Sequence, residues 1–85
     1  MGGFFISQGG IIMWCQGTVL INTENGKRYV RASVYGDTTP STMPTTGAGI
    51  SGLNGDDILY AGSVFYAVDT GDIYMMNSQN TWVEQ

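Results

Sequence analysis

The triplet Asp69-Thr70-Gly71 is the pattern from which paired-carboxylate peptide hydrolysis is built, with two carboxylates sharing one proton. Its position argues against that chemistry, because only 14 residues follow Gly71. A hairpin turn also needs Asp and Gly there, which is the simpler reason for their presence. Asp56, Asp57, Asp69 and Asp72 could supply oxygen ligands to calcium. The D-x-D-x-D-G spacing of a calcium loop is absent, and Asp56-Asp57 reads instead as a loop end with its charges in solvent. Cys15, the single thiol, lies between Trp14 and Gln16 and reads as a small buried apolar side chain. Trp14, Tyr29, Tyr35, Tyr60, Tyr66, Tyr74 and Trp82 could stack on sugars, although strands also collect aromatics simply for packing. Gly9-Gly10 and Gly47-Ala48-Gly49 neither follow a strand nor open a helix, so no phosphate-binding loop is expected.

Composition narrows the chemistry further. The 85 residues include no His, one Cys, 3 Lys+Arg and 7 Asp+Glu. Without His there is no Ser-His or Cys-His pair and no side chain that titrates by default near neutral pH. Expected catalytic residues, metal and cofactor are therefore none. A net charge of −4 argues against nucleic acid, which selects a basic face. The longest apolar run, Ile11 to Cys15, is far short of the ~20 residues that cross a bilayer. The first 16 residues hold no Lys or Arg, unlike the start of a secretory leader. One unpaired Cys fits a reducing cytosol.

The elements that must position these residues are strands. No window carries a 3.6-residue apolar stripe, so the expected class is all-β: a small sheet or barrel-like domain of two β-hairpins plus a C-terminal strand, with extended N-terminal and central arms. Residues 1–85 read as a single domain in four pieces. Residues 1–16 are an apolar arm or strand, 17–35 the first hairpin, 36–56 a Thr/Gly/Pro-rich loop or arm, and 57–85 a β-meander. Asn25-Gly26 marks the first turn, because both residues tolerate positive φ. Asp69 and Gly71 mark the second. Tyr29, Phe65, Tyr74 and Trp82 are the expected core aromatics.

The two hairpins align without a gap at an offset of 45 residues: Gly17 falls on Gly62, Val19 on Val64, Gly26 on Gly71 and Tyr29 on Tyr74. Either a unit is duplicated, or two hairpins share an acidic-x-Gly turn. Charge is also uneven: residues 1–35 carry +2 (Lys27, Arg28 and Arg31 against Glu24), and residues 36–85 carry −6. Contact between copies could use that asymmetry.

A chain this short builds a marginal core, and its one Cys allows no internal disulfide. The arms carry a large apolar load for its size. Phe4, Phe5, Ile11, Ile12 and Trp14 in the first, and Met43, Ile50 and Leu53 in the second, are the expected contacts with neighbouring subunits.

The stretch Gly62 to Asn77, with Trp82-Val83 after it, resembles a short module of small structural proteins of tailed bacteriophages, the head-fibre and head-decoration proteins among them. The shared pattern is Gly-Ser, an apolar-aromatic pair, Asp-Thr-Gly, an acidic residue, apolar-Tyr, a polar turn and Trp. It covers about 24 residues, and nothing similar is evident in residues 1–35. The resemblance implies a non-enzymatic virion protein, assembled in the host cytoplasm. It also implies contact with other virion proteins, the major capsid protein first among them, and a homo-oligomer, with a trimer favoured. The alternatives are a tail or fibre module that recognises host glycan and, more remotely, an aspartic-protease-like enzyme.

Overall fold

A computed structural model describes residues 12–85. The expected contacts Phe4, Phe5 and Ile11 lie outside the described residues. Six strands and no helix are present among the described residues: β1 (Met13–Glu24), β2 (Lys27–Gly36), β3 (Ile58–Leu59), β4 (Val64–Ala67), β5 (Asp72–Met76) and β6 (Trp82–Glu84). They form one open sheet in the order β1-β2-β4-β5-β6, with β3 pairing β2 beside β4.

Turn chemistry sets both hairpins. Asn25 and Gly26 take φ of 55° and 77°, and Glu24 pairs directly with Lys27. This left-handed pair matches the right-handed twist of the strands it joins. The β4–β5 turn is longer: Ala67 pairs with Asp72, and the Gly71 N–H donates to the Ala67 carbonyl at 2.8 Å with Gly71 at φ 78°.

The difference in turn length separates the fates of the aligned positions. Leu20 aligns with Phe65, yet Leu20 is 55% exposed and Phe65 is 0% exposed. Val30 is buried while its counterpart Met75 is exposed. Bulges in β1 between Cys15 and Gly17 and between Leu20 and Asn22 shift the register further. A one-residue shift turns every side chain to the other face, so the aligned positions do not do the same job.

β2 is the hub. It pairs antiparallel with β1 on one side and parallel with β3 and β4 on the other. Its side chains alternate: Val30, Ala32 and Val34 point inward and are buried, while Arg31 between them is exposed. Four β2 residues separate the start of the β3 pairing from that of the β4 pairing, against six residues in the partner segment. The excess chain loops out as the turn Tyr60–Ser63. Ser63 fills the gap: its Oγ accepts the Ala32 N–H at 3.1 Å and donates to the Tyr60 carbonyl at 2.7 Å. A fully buried hydroxyl is tolerable only with such partners.

The central segment lies on this chain's own sheet. Residues 37–57 cross the inner face and bury Ile50, with Met43 and Leu53 packed against the same cluster of Val30, Val34, Leu59 and Phe65. Met43, Ile50 and Leu53 therefore complete the chain's own core rather than standing out as contacts for a neighbour. The physical reason is that the inner sheet face needs an apolar cover, and this segment is the only described one long enough to cross it. The segment is tied down at both ends. Ser51 exchanges backbone hydrogen bonds with β1, from Cys15 N–H at 2.8 Å and to Met13 carbonyl at 3.1 Å. The Trp82 indole N–H donates to the Pro44 carbonyl at 2.7 Å. Gly47 is buried so close to the Asn54 carbonyl that no Cβ fits there.

Of the expected core aromatics, Phe65 is at the centre, and Tyr74 and Trp82 pack its edge. Tyr29 does not join them. It sits on the outer side of β2, edge-on to Tyr60 at 6.3 Å, because the Asn25-Gly26 turn fixes the parity that sends Val30 inward.

Candidate functional site

The groups that could do chemistry are used in the scaffold. Asp69-Thr70-Gly71 is a hydrogen-bonded turn: the Asp69 N–H donates to the Asp37 carbonyl at 2.8 Å, and the Thr70 hydroxyl to Asp72 Oδ2 at 2.9 Å. Asp57 is buried, contrary to the solvated loop end expected from sequence. Arg28 Nε stands 3.4 Å from its Oδ1, and the Asn54 N–H donates to Oδ2 at 3.3 Å. This carboxylate anchors the end of the covering segment to β2. It lies beside β3 at the Tyr29 end of β2, whereas Asp69 and Asp72 flank the turn at the Gly36 end. The four aspartates that might share calcium are thus divided between opposite ends of the sheet. No cluster of three or more ligating side chains occurs among the described residues. Cys15 is half-buried, and its thiol donates to the Gly17 carbonyl at 3.2 Å.

Each of the three basic residues has a neighbour within the fold. Lys27 faces Glu24 across the hairpin, and Arg28 faces Asp57. Arg31 donates to the Ala61 carbonyl at 3.2 Å.

What the fold exposes instead is apolar surface, in two places. The first is the outer face of the sheet, opposite the covering segment. Register places Trp14, Tyr35, Tyr66 and Ile73 in one row across β1, β2, β4 and β5. Ser33, Val64, Met75 and Val83 form the next row. Ile73, Met75 and Val83 are 39–43% exposed. A one-sided sheet ordinarily presents polar residues to water, with charges interspersed. In these two rows there is no charged residue, and Arg31 stands one row beyond them.

Within the first row the rings stack on one another. Trp14 and Tyr35 lie 5.8 Å apart at 13°, and Tyr35 and Tyr66 4.8 Å apart at 29°. Rings stacked in this way turn their faces toward each other and present their edges outward. A sugar stacks on a free ring face, so the ladder is a contact surface more than a glycan platform.

The second place is the far half of β1. Ser51 covers the outer edge of Met13–Cys15, but residues 17–24 have β2 on one side only. Val19, Leu20 and Ile21 are all exposed there, and Val19 and Leu20 exceed one half. No charge or Pro guards this edge between Gly17 and Thr23, although two bulges bend it.

The expected contacts divide accordingly. Ile12 is 66% exposed at the entry to β1, and Trp14 lies half-buried in the outer row. Ile73, Met75 and Val83 were not singled out in the sequence. Their signal is visible in hindsight: Ile73-Tyr74-Met75-Met76 is apolar at every position, the mark of a strand expected to be covered on both faces.

Comparison with protein-family models, with curated proteins and with solved structures gave no match.

Proposed function

We propose that this chain is a non-enzymatic structural protein of a bacteriophage particle, acting through protein–protein contacts as a capsid decoration or head-fibre-type protein. The observation that carries the reading is the apolar outer face, which no described residue covers, on a chain whose described core takes up the inner face. Apolar side chains grouped on one sheet face without a charge among them suit a contact surface. The resemblance of residues 62–83 to phage head modules supplies the setting, and the tight turns and packed aromatics there agree with it. The partners are other virion proteins, the major capsid protein first, together with further copies of this chain. Its place of action is the virion, reached by assembly in the host cytoplasm. No step of this function needs a titrating side chain or cofactor, since binding alone stabilises a particle by mass action.

The test is sedimentation of the purified chain with intact phage capsids. Saturable co-sedimentation, together with greater heat resistance of the decorated particle, is the expected result. A chain that stays in the supernatant with capsids, necks and tails alike contradicts the reading.

A further inference from the structure

We propose that Asn25 is a self-modifying site: its side chain closes onto the Gly26 amide, loses ammonia, and reopens with water as aspartate or isoaspartate. The same dipeptide occurs again at Asn54-Gly55, and there the fold withholds the reaction.

The step requires the Gly26 amide nitrogen to reach Asn25 Cγ. The N–Cγ bond forms, the Cγ–Nδ2 bond breaks, and the Gly26 N–H proton leaves with the side-chain nitrogen as ammonia. The product is a five-membered succinimide. Water adds at Cγ to give aspartate, or at the backbone carbonyl to give isoaspartate, with no change of oxidation state. Glycine favours the approach because it has no Cβ to block the nitrogen. Both dipeptides are exposed, and a Cβ at either glycine would meet nothing within 4 Å, so access does not separate the two sites.

What separates them is the peptide plane that must turn. At the hairpin tip, neither the Asn25 carbonyl nor the Gly26 N–H has a hydrogen-bond partner among the described residues. With Asn25 at φ 55°, Gly26 at φ 77° and Glu24 paired to Lys27, this plane is the centre of a type I′ turn. Rotating it gives the type II′ turn, which closes the same two-residue hairpin. No sheet hydrogen bond breaks, and ψ of Asn25 swings to about −120°, which turns the Gly26 nitrogen toward the Asn25 side chain. The Asn54 plane is pinned instead. Its carbonyl accepts the N–H of buried Asp57 at 3.0 Å and is backed by Gly47. The Asn54 N–H is held in turn by Asp57 Oδ2 at 3.3 Å. Turning that plane leaves a buried N–H without its partner, which is costly. At Asn25 the isoaspartate product routes the backbone through a side-chain methylene and adds a carboxylate beside Glu24. A two-residue turn then no longer holds Glu24 opposite Lys27.

Incubation of the full chain at mildly alkaline pH, where the Gly26 amide proton is more easily lost, followed by peptide mapping with mass spectrometry, tests this. Each conversion adds one mass unit, and labelling with an isoaspartyl methyltransferase marks the isoaspartate fraction. In the native chain Asn25 should convert roughly tenfold faster than Asn54, the factor expected when a buried N–H must give up its partner. In urea, where the tether is gone, the two sites should convert at similar rates. Equal native rates, or Asn54 ahead of Asn25, overturn the proposal. So does a native chain that stays unconverted at Asn25 while the unfolded chain reacts at both sites. A lead for Asn25 that persists undiminished in urea also overturns it, because flanking residues and not the fold would then set the choice. In the isoaspartate form, separated by ion exchange, hydrogen exchange should quicken at the Lys27 N–H and stay slow at Val34. An unchanged rate at Lys27 contradicts the opened turn.

Discussion

The two hairpins of this chain have nearly the same sequence plan and opposite fates. β4–β5 lies in the middle of the sheet, beneath the segment 37–57, and its Phe65 is 0% exposed. The far half of β1–β2 projects past that cover, and Leu20, the residue aligned with Phe65, is 55% exposed. Both are apolar strand residues set near an Asx-and-Gly turn. The difference lies in what crosses over them, and a strand's own residues cannot specify that. Burial here is decided by the segment 37–57, which lies between the two hairpins in the chain and belongs to neither.

The sharpest way to break the comparison is to remove both aligned side chains. Phe65→Ala should lower unfolding free energy by about 3–5 kcal/mol, the cost of a large aromatic cavity. Leu20→Ala should cost under ~0.5 kcal/mol, as exposed substitutions do. Urea denaturation of the two variants, read by tryptophan fluorescence, checks the pair. Equal losses would mean that the β1 tip is covered.

The cover itself comes next. Ile50→Ala empties the side chain that the segment inserts into the core, and should cost about 2–4 kcal/mol in the same denaturation experiment. An unchanged midpoint would show that the segment does not lie on the sheet. Arg28→Ala should cost about 1–3 kcal/mol, since it leaves the Asp57 carboxylate buried without its cation. Asp57→Asn, which keeps the shape and loses the charge, should cost less than Arg28→Ala. The last substitution is at the first turn. Gly26→Ala should cost about 1–2 kcal/mol, because a Cβ is strained at a left-handed φ, and hydrogen exchange should rise only near the hairpin tip.

Much of the scaffold was legible in the residues. Asn25-Gly26 gave the first turn because both residues accept positive φ, as Gly71 does in the second, and the β-branched and aromatic runs around them gave strands. The all-β class followed from the absence of a helical stripe. The faces were not legible. Tyr29 and Tyr74 align, yet one points outward and the other inward, because two bulges and unequal turns set the parity of each strand. Ile50 looked like a contact for a neighbour because its local sequence is rich in Gly, Thr and Pro. Only the fold shows that it crosses the sheet and meets Val34 and Phe65. Two-residue β3 and the Ser63 plug escaped for a related reason: they exist only because β2 has a parallel partner, and parallel pairing leaves no local turn signal. The uncovered face was hidden in plain alternation. Ile73 and Met75 differ little from their inward neighbours Tyr74 and Met76 in hydrophobicity, so the sequence marks both sides of β5 as apolar.

That last pair provides the most direct measurement. Met75 and Met76 are adjacent, on opposite faces, at 43% and 4% exposure. Brief peroxide treatment followed by mass spectrometry reads the oxidation rate of each thioether. In dilute solution Met75 should oxidise several-fold faster than Met76, in keeping with its exposure. Equal rates for the two thioethers would contradict an outer face left bare by the described residues.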